Sequence, residues 1–320
     1  MSISVQNKPN ISDPPPKRKI RRQSTSRMHS PAHRNDGRLA WILIAPALVG
    51  FIVFAVYPTL RGIYLSFTNF RVLSPPSWTG LDNFVRLIHD DVFWGALGVT
   101  VYFVVLSVVI GMTFSLVTAV ILHRLNASTL VRGMVILPFL ISGVVAATTW
   151  SWMLDSQLGI INMLIEKLTG SPILFLGSRS WAIPSIALIS VWKSMGYNAI
   201  IIFAGLQTIP STVYEAGRID GASEVKMFRY LTLPLLRPIL AMVLILNVIG
   251  SFQVFDIVAV TTKGGPANAS NVLQMYIYQK AFGQFDFGYA STMSLALFAM
   301  LIVITFLQMR LTRASQTDTN

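Results

Sequence analysis

Long apolar runs alternate with short polar stretches along most of this chain. Six runs hold roughly twenty or more residues each: Leu39–Leu60, Phe93–Leu122, Gly133–Leu154, Trp181–Gly205, Leu235–Phe255 and Phe287–Met309. At about 1.5 Å per residue, a helix of that length crosses about 30 Å of hydrocarbon. The runs are continuously apolar instead of alternating at every second residue, which excludes a membrane β-barrel. Five of them hold no Lys, Arg, Asp or Glu except at an extreme edge, and the fourth carries Lys193. The pattern predicts an all-α, polytopic membrane protein with six transmembrane helices.

Composition agrees. Of 320 residues, 53% are hydrophobic and 12% charged, against about 25% charged in ordinary soluble domains. A lipid solvent explains the deficit, because a charge at mid-bilayer is costly. With no cysteine, disulfides and thiolate metal sites are excluded. The net charge of +12 does not point to nucleic acid, because the basic residues flank the spans. Residues 1–38 are rich in Pro, Ser, Lys and Arg and predict a disordered basic tail. The apolar run that follows is too long for a signal peptide and lacks a cleavage site. With the N-terminus in the cytoplasm, seventeen of the 25 lysines and arginines fall in inside segments and seven in outside loops. That asymmetry predicts both termini inside. The domain plan is a tail at 1–38, a six-helix membrane domain at 39–313 and a short cytoplasmic tail at 314–320.

One dense polar island interrupts the apolar two-thirds of the chain. Residues 215–238 hold seven charges: Glu215, Arg218, Asp220, Glu224, Lys226, Arg229 and Arg237. Ser211 is placed to cap a helix starting near Thr212, with Glu215 in its first turns. Gly221 permits a bend, and a second helix is expected over Ala222–Tyr230. Pro234 and Pro238 then open the fifth span. Small residues (Ala216, Gly217, Ala222) leave room for a partner backbone, and Ile219, Val225 and Phe228 offer apolar anchors. Two readings stand: a solvated interfacial loop, or a docking element for another protein.

The pattern Glu215-Ala216-x-x-x-Asp220-Gly221-Ala222, then Phe228, Leu233-Pro234 and Pro238, resembles the EAA loop of binding-protein-dependent ABC transporter permeases. Trp78-Thr79-Gly80-Leu81-Asp82-Asn83-Phe84, Ala204-Gly205-Leu206-Gln207-Thr208-Ile209-Pro210 and Thr262-Lys263-Gly264-Gly265-Pro266 are similar to segments of the sugar-type, carbohydrate-uptake members. Gly217 departs from the motif, which has a second alanine there. The resemblance implies an ABC importer type I permease fold in a bacterial inner membrane. It implies that loop 211–238 is a coupling helix inserted into a cytoplasmic ATPase dimer. Glu215 would make a charged contact, and Asp220 and Gly221 would hold the bend. A second homologous permease subunit and a periplasmic or lipid-anchored solute-binding protein are the other implied partners. ATP and Mg would be bound by the ATPase, so no cofactor is expected in this chain.

Nothing along the chain carries catalysis. Walker A, His-Glu-x-x-His and Gly-x-Ser-x-Gly patterns are all absent from the sequence, and no metal site is expected. Transport instead needs polar groups at mid-membrane. Ser190, Ser194 and Tyr197 share one face of the fourth span, and Asn247 and Ser251 share one face of the fifth, with Phe252 beside them. Hydroxyls, an amide and aromatic rings suit a neutral polyhydroxyl ligand, and interhelical hydrogen bonding explains the same residues equally. Lys193 has three open readings: snorkelling, neutralising an acidic ligand, or pairing with a neighbouring subunit. Asp256 reads as a gate or interface residue. Asp82, Asn83 and the Gly264-Gly265-Pro266 turn read as loop structure or as a surface for the solute-binding protein. The competing function is a secondary transporter or channel, which would call for intramembrane acidic residues or an inverted repeat.

Overall fold

The computed structural model describes residues 36–72 and 74–317. Most of the basic tail at 1–38 and the last three residues lie outside them. The chain forms two units, Met1–Val56 and Tyr57–Asn320. In the first, α1 (Asp36–Phe51) runs into a π-helical turn, Ile52–Val56. Its large side chains, Trp41, Phe51 and Phe54 among them, are exposed. This suits a helix whose solvent is hydrocarbon.

The second unit contains α2 (Tyr57–Ser66), α3 (Asp82–Ile88), α4 (Asp91–Arg124), α5 (Thr129–Leu140), α6 (Gly143–Met153), α7 (Ile160–Thr169) and α8 (Ala182–Leu206). It continues with α9 (Ser211–Ile219), α10 (Glu224–Met227), α11 (Leu233–Phe252), α12 (Asp256–Thr261), α13 (Leu273–Tyr278) and α14 (Phe287–Thr317). Among the described residues, β-structure is limited to isolated bridges such as Thr68 with Trp78. Long, apolar helical runs cover Trp41–Ser66, Asp91–Arg124, Ala182–Leu206, Glu224–Thr261 and Phe287–Leu311. These match five of the six predicted spans, with shifted ends.

The third predicted span, Gly133–Leu154, is not one helix. It is α5 and α6, bent by 90° at the break between them. Pro138 removes a hydrogen bond from the last turn of α5. Ile141 and Ser142 are then extended, at ψ 137° and 142°, before α6 starts at Gly143. An apolar count cannot register such a break. Pro138 and the Ser142-Gly143 pair were its local signals.

The bundle packs around α4 and α8. On α4 the buried positions include Ala96, Thr100, Val104, Ser107, Gly111, Ser115, Ala119 and Leu122, recurring every three or four residues. Most are small, so α8 can approach closely, as small-residue stripes permit in membranes. A Cβ placed on Gly111 would touch Val191 at 3.6 Å. Ser115 donates to the Met195 carbonyl at 3.1 Å. Two apolar cores result. One holds Phe93, Phe103, Ile186, Leu273 and Tyr289. The other, toward the Arg124 end, holds Ala119, Ile202, Leu206, Leu236 and Val243.

A polar knot ties the opposite end of α4 to α13 and α14. Asp90 caps α4, accepting from the amides of Val92 and Phe93 at 3.0 and 3.1 Å. Its other oxygen accepts the hydroxyls of Tyr276 and Tyr289 at 2.8 and 2.6 Å. Burial pushes the Asp90 carboxyl up, but these four hydrogen bonds together hold it below its ordinary value of 3.8. A folded-state value below the unfolded one adds stability above about pH 4, lost as pH falls through the folded value. Asp90→Ala is therefore expected to cost about 2 kcal/mol and to lower the melting temperature of the detergent-solubilised protein. The gap between wild type and mutant should begin to narrow as pH falls below about 4 and go on narrowing through the lowered folded value. Equal melting temperatures at pH 7 would refute the role given to this knot.

Asn83 is also spent on structure. It is buried and donates to the carbonyls of Ser66 and Thr68 at 3.0 and 2.8 Å. Of its two readings, the geometry matches loop structure.

Candidate functional site

A cavity of about 350 Å³ opens among the α5–α6 break, α8 and the end of α11. Ser190, Ser194, Tyr197, Asn247 and Ser251 all line it. Two features place them there: three- and four-residue spacing along each helix, and the closeness of α8 to α11. Gly205 favours that closeness, because a Cβ there would push the Ile239 side chain aside.

The five residues are not chemically equivalent. The ring of Tyr197 stacks on Phe139 with centroids 4.3 Å apart and planes 12° apart. The Ser194 hydroxyl donates back to the Ser190 carbonyl at 2.9 Å. Asn247 donates to Val243 O at 2.8 Å and accepts from the Asn198 side chain at 3.0 Å. Asn247 is thus an interhelical hydrogen-bonding residue as well as a wall of the cavity.

Sequence reasoning missed Asn198, which is 4% exposed and lines the same space. Its position four residues after Ser194 was the available signal. Phe252 does not take part as expected, being buried in the core. The aromatic walls are Phe139, Tyr197 and Phe255. Lys193 and Asp256 also line the cavity. The Lys193 ammonium sits 5.4 Å from the centroid of the Phe139 ring.

The second candidate element is the polar island. Helix α9 starts at Ser211 itself, with Pro210 at its cap position and no side-chain cap. Ser211 is therefore not the cap the sequence suggested. Gly221 turns the chain at φ +72°, a conformation costly for any residue with a Cβ. Ser223 caps α10 by accepting from Lys226 N at 3.4 Å. The expected helix Ala222–Tyr230 does not stop before the prolines. α10 passes through a π-turn, Phe228–Thr232, directly into α11. Pro234 lies where that π-turn meets α11 and, lacking an N–H, cannot donate to the preceding turn.

Glu215, Ala216 and Asp220 are exposed, and Ala222 and Phe228 are half-buried. Gly217 faces inward, where a Cβ would meet Leu231 at 3.0 Å and Met227 at 3.4 Å. Its smallness serves the packing of α9 on the following helix, not the approach of a partner. Ile219 and Val225 stand out into solvent, 86% and 76% exposed. A cleft of about 360 Å³ separates this loop from the end of α4, with Glu215, Arg218, His123 and Arg124 on its walls. Arg124 and Glu224 pair across it at 3.1 Å. Both side chains are more than half exposed, so the pair contributes little.

Among the described residues, no cluster of three or more His, Cys, Asp or Glu could hold a metal ion.

A broken membrane helix, a polar cavity beside it and a charged hairpin joining α8 to α11 define a membrane transport subunit. Residues 39–318 match the family described as the binding-protein-dependent transport system inner membrane component, and the chain belongs to that family. It is the permease of an ABC importer and not an enzyme. It is 38% identical over 275 residues to the lactose transport system permease protein of Rhizobium radiobacter, covering 84% of this chain and 92% of that one. It is 33% identical over 282 residues to the sulfoquinovosyl glycerol transport system permease protein of Agrobacterium fabrum, covering 87% and 91%. Among solved structures, a bacterial alginate ABC transporter in complex with its alginate pentasaccharide-bound periplasmic protein has a chain of the same fold. Its TM-score is 0.77 at 22% identity, covering 88% of this chain and 96% of that one.

Proposed function

We propose that this permease forms half of the translocation path for a sugar or related polyol, with the cavity between α8 and α11 as the cargo site. The carrying observation is the convergence of Ser190, Ser194, Tyr197, Asn247 and Ser251 on one cavity of about 350 Å³. Hydroxyls and amides there suit ligand hydroxyls, and the stacked Phe139 and Tyr197 rings suit sugar C–H faces. The names of the two permease relatives, for lactose and for sulfoquinovosyl glycerol, support a sugar-like cargo. In this reading both termini and loop 211–238 are cytoplasmic. The loop docks on an ATPase dimer that binds ATP and Mg, and a second permease closes the other side of the path. A solute-binding protein delivers cargo from outside. ATP binding closes the ATPase, moves the loop and tilts the spans, a rigid-body gating step.

Tyr197→Ala and Ser251→Ala tests the cavity without touching the Asn198–Asn247 bond. Uptake by cells expressing the whole transporter is expected to fall at least tenfold for the double mutant, with the chain still inserted. Unchanged uptake and unchanged preference among sugars would remove the cavity from the path.

A further inference from the structure

Resting on the reading of this cavity as the cargo site, we infer that the preferred cargo carries an anionic group and that Lys193 is its counter-ion. Lys193 lies near the middle of α8. At about 1.5 Å per residue, it is about 16 Å from the start of the helix at Ala182 and about 19 Å from its end at Leu206. A lysine stem does not reach across that distance to an interface. The ammonium instead stays in the cavity wall, against the Phe139 ring at 5.4 Å.

Among the described residues, no ion pair includes Lys193. The pairs found among them are Arg86–Asp286 and Arg124–Glu224, both outside the cavity. Asp256 is the other charged residue of the cavity, and no ion pair joins it to Lys193. It is the first residue of α12 and lies against the first residue of α6, where a Cβ on Gly143 would meet its Oδ2 at 3.0 Å. The N-terminal end of α6, partly positive from its helix dipole, favours that carboxylate. The C-terminal end of α5, beside Phe139, gives Lys193 at most about half a charge.

A wall that holds an unpaired cation at mid-membrane is complementary to an anion. The same cavity is lined by Ser190, Ser194 and Asn247, which suit hydroxyls on the same ligand. One arriving molecule with a carboxylate, sulfonate or phosphate on a polyhydroxyl frame satisfies both sets. Neutral sugars satisfy only the second.

The test is equilibrium binding of radiolabelled galacturonate, galactose, glucuronate and glucose to the assembled transporter in lipid nanodiscs. Wild type is expected to bind at least one uronate tenfold or more tightly than its neutral parent. Lys193→Met should erase that ratio, and Lys193→Arg should retain it. Competition by glucose 6-phosphate and glucose 6-sulfate against the bound uronate ranks the three anions. No uronate preference in wild type, or a preference that survives Lys193→Met, overturns the inference. If binding of every sugar is lost in Tyr197→Ala while Lys193→Met changes nothing, the cavity stands and only the counter-ion fails. If wild type binds none of the four sugars, the cargo-site reading fails and this inference with it.

Discussion

Replacing Glu215 with lysine is expected to abolish uptake and to strip the ATPase from the purified complex, while the chain stays inserted in the membrane. The expectation starts from where the side chain lies. Glu215 is exposed on α9, and the ion pairs found among the described residues do not include it. Reversing its charge therefore breaks no packing within the chain, and span insertion does not depend on it. At a protein interface the loss is different in kind. Truncating one partner of a buried, hydrogen-bonded charge pair costs about 2–5 kcal/mol, or roughly 30- to several-thousand-fold in affinity. A lysine adds repulsion to that loss. Glu215→Gln should fall between wild type and Glu215→Lys, since it keeps shape and one acceptor. The readout is a pair of measurements on the same membranes: labelled-sugar uptake, and ATPase recovered with an affinity-tagged permease. Normal uptake by Glu215→Lys would leave the docking role of this loop without support.

An exposed apolar pair on the same hairpin would orient such a contact. Ile219 and Val225 flank the Gly221 bend and stand out into solvent at 86% and 76% exposure. Met227, between them and the span, is 4% exposed and anchors the hairpin to the chain itself. The hairpin therefore has an inner face of Gly217 and Met227 and an outer face of Glu215, Ile219 and Val225. An outer face combining one charge with two large apolar side chains suits a partner groove.

How much of this the sequence made legible depended on how local each cause was. The apolar runs were legible because membrane crossing is a property of a single segment. Gly221 was legible because a positive φ is a requirement of one residue. The shared faces of Ser190, Ser194 and Tyr197 and of Asn247 and Ser251 followed from helical spacing alone. That the two faces meet depends on α8 lying against α11, which Gly205 permits. What stayed hidden depended on distant partners. Gly217 read as room for another protein, and its true neighbours are Leu231 and Met227. Phe252 read as a cavity wall by adjacency to Ser251, yet one position along a helix turns a side chain by about 100°, and it points into the core. The break after Leu140 was hidden in a different way. Its signals were local, but a twenty-residue apolar window averages over them.

Gly196 is the position where a minimal change should have the largest structural consequence. It lies on α8 next to Tyr197 and faces α5, where a Cβ would overlap the Val135 carbonyl far inside van der Waals contact. The obstacle is backbone on both sides, so no rotamer change relieves it. Either α5 moves away or α8 bends, and overpacking of this kind costs typically about 1–3 kcal/mol, occasionally more. Any such movement carries Phe139 with α5 and so separates the ring stacked on Tyr197 at 4.3 Å. Gly196→Ala is therefore expected to lower the melting temperature and to cut uptake at least tenfold. Gly196→Val, with two more carbons in the same gap, should leave little folded transporter. Gly250 provides the control: it also lines the cavity, yet a Cβ there meets nothing within 4 Å. Gly250→Ala should keep the fold and melt within a degree or two of wild type, leaving any change in uptake to the cavity alone. Equal behaviour of Gly196→Ala and Gly250→Ala in thermal melts would mean that α5 and α8 are not held at the close approach that shapes the site.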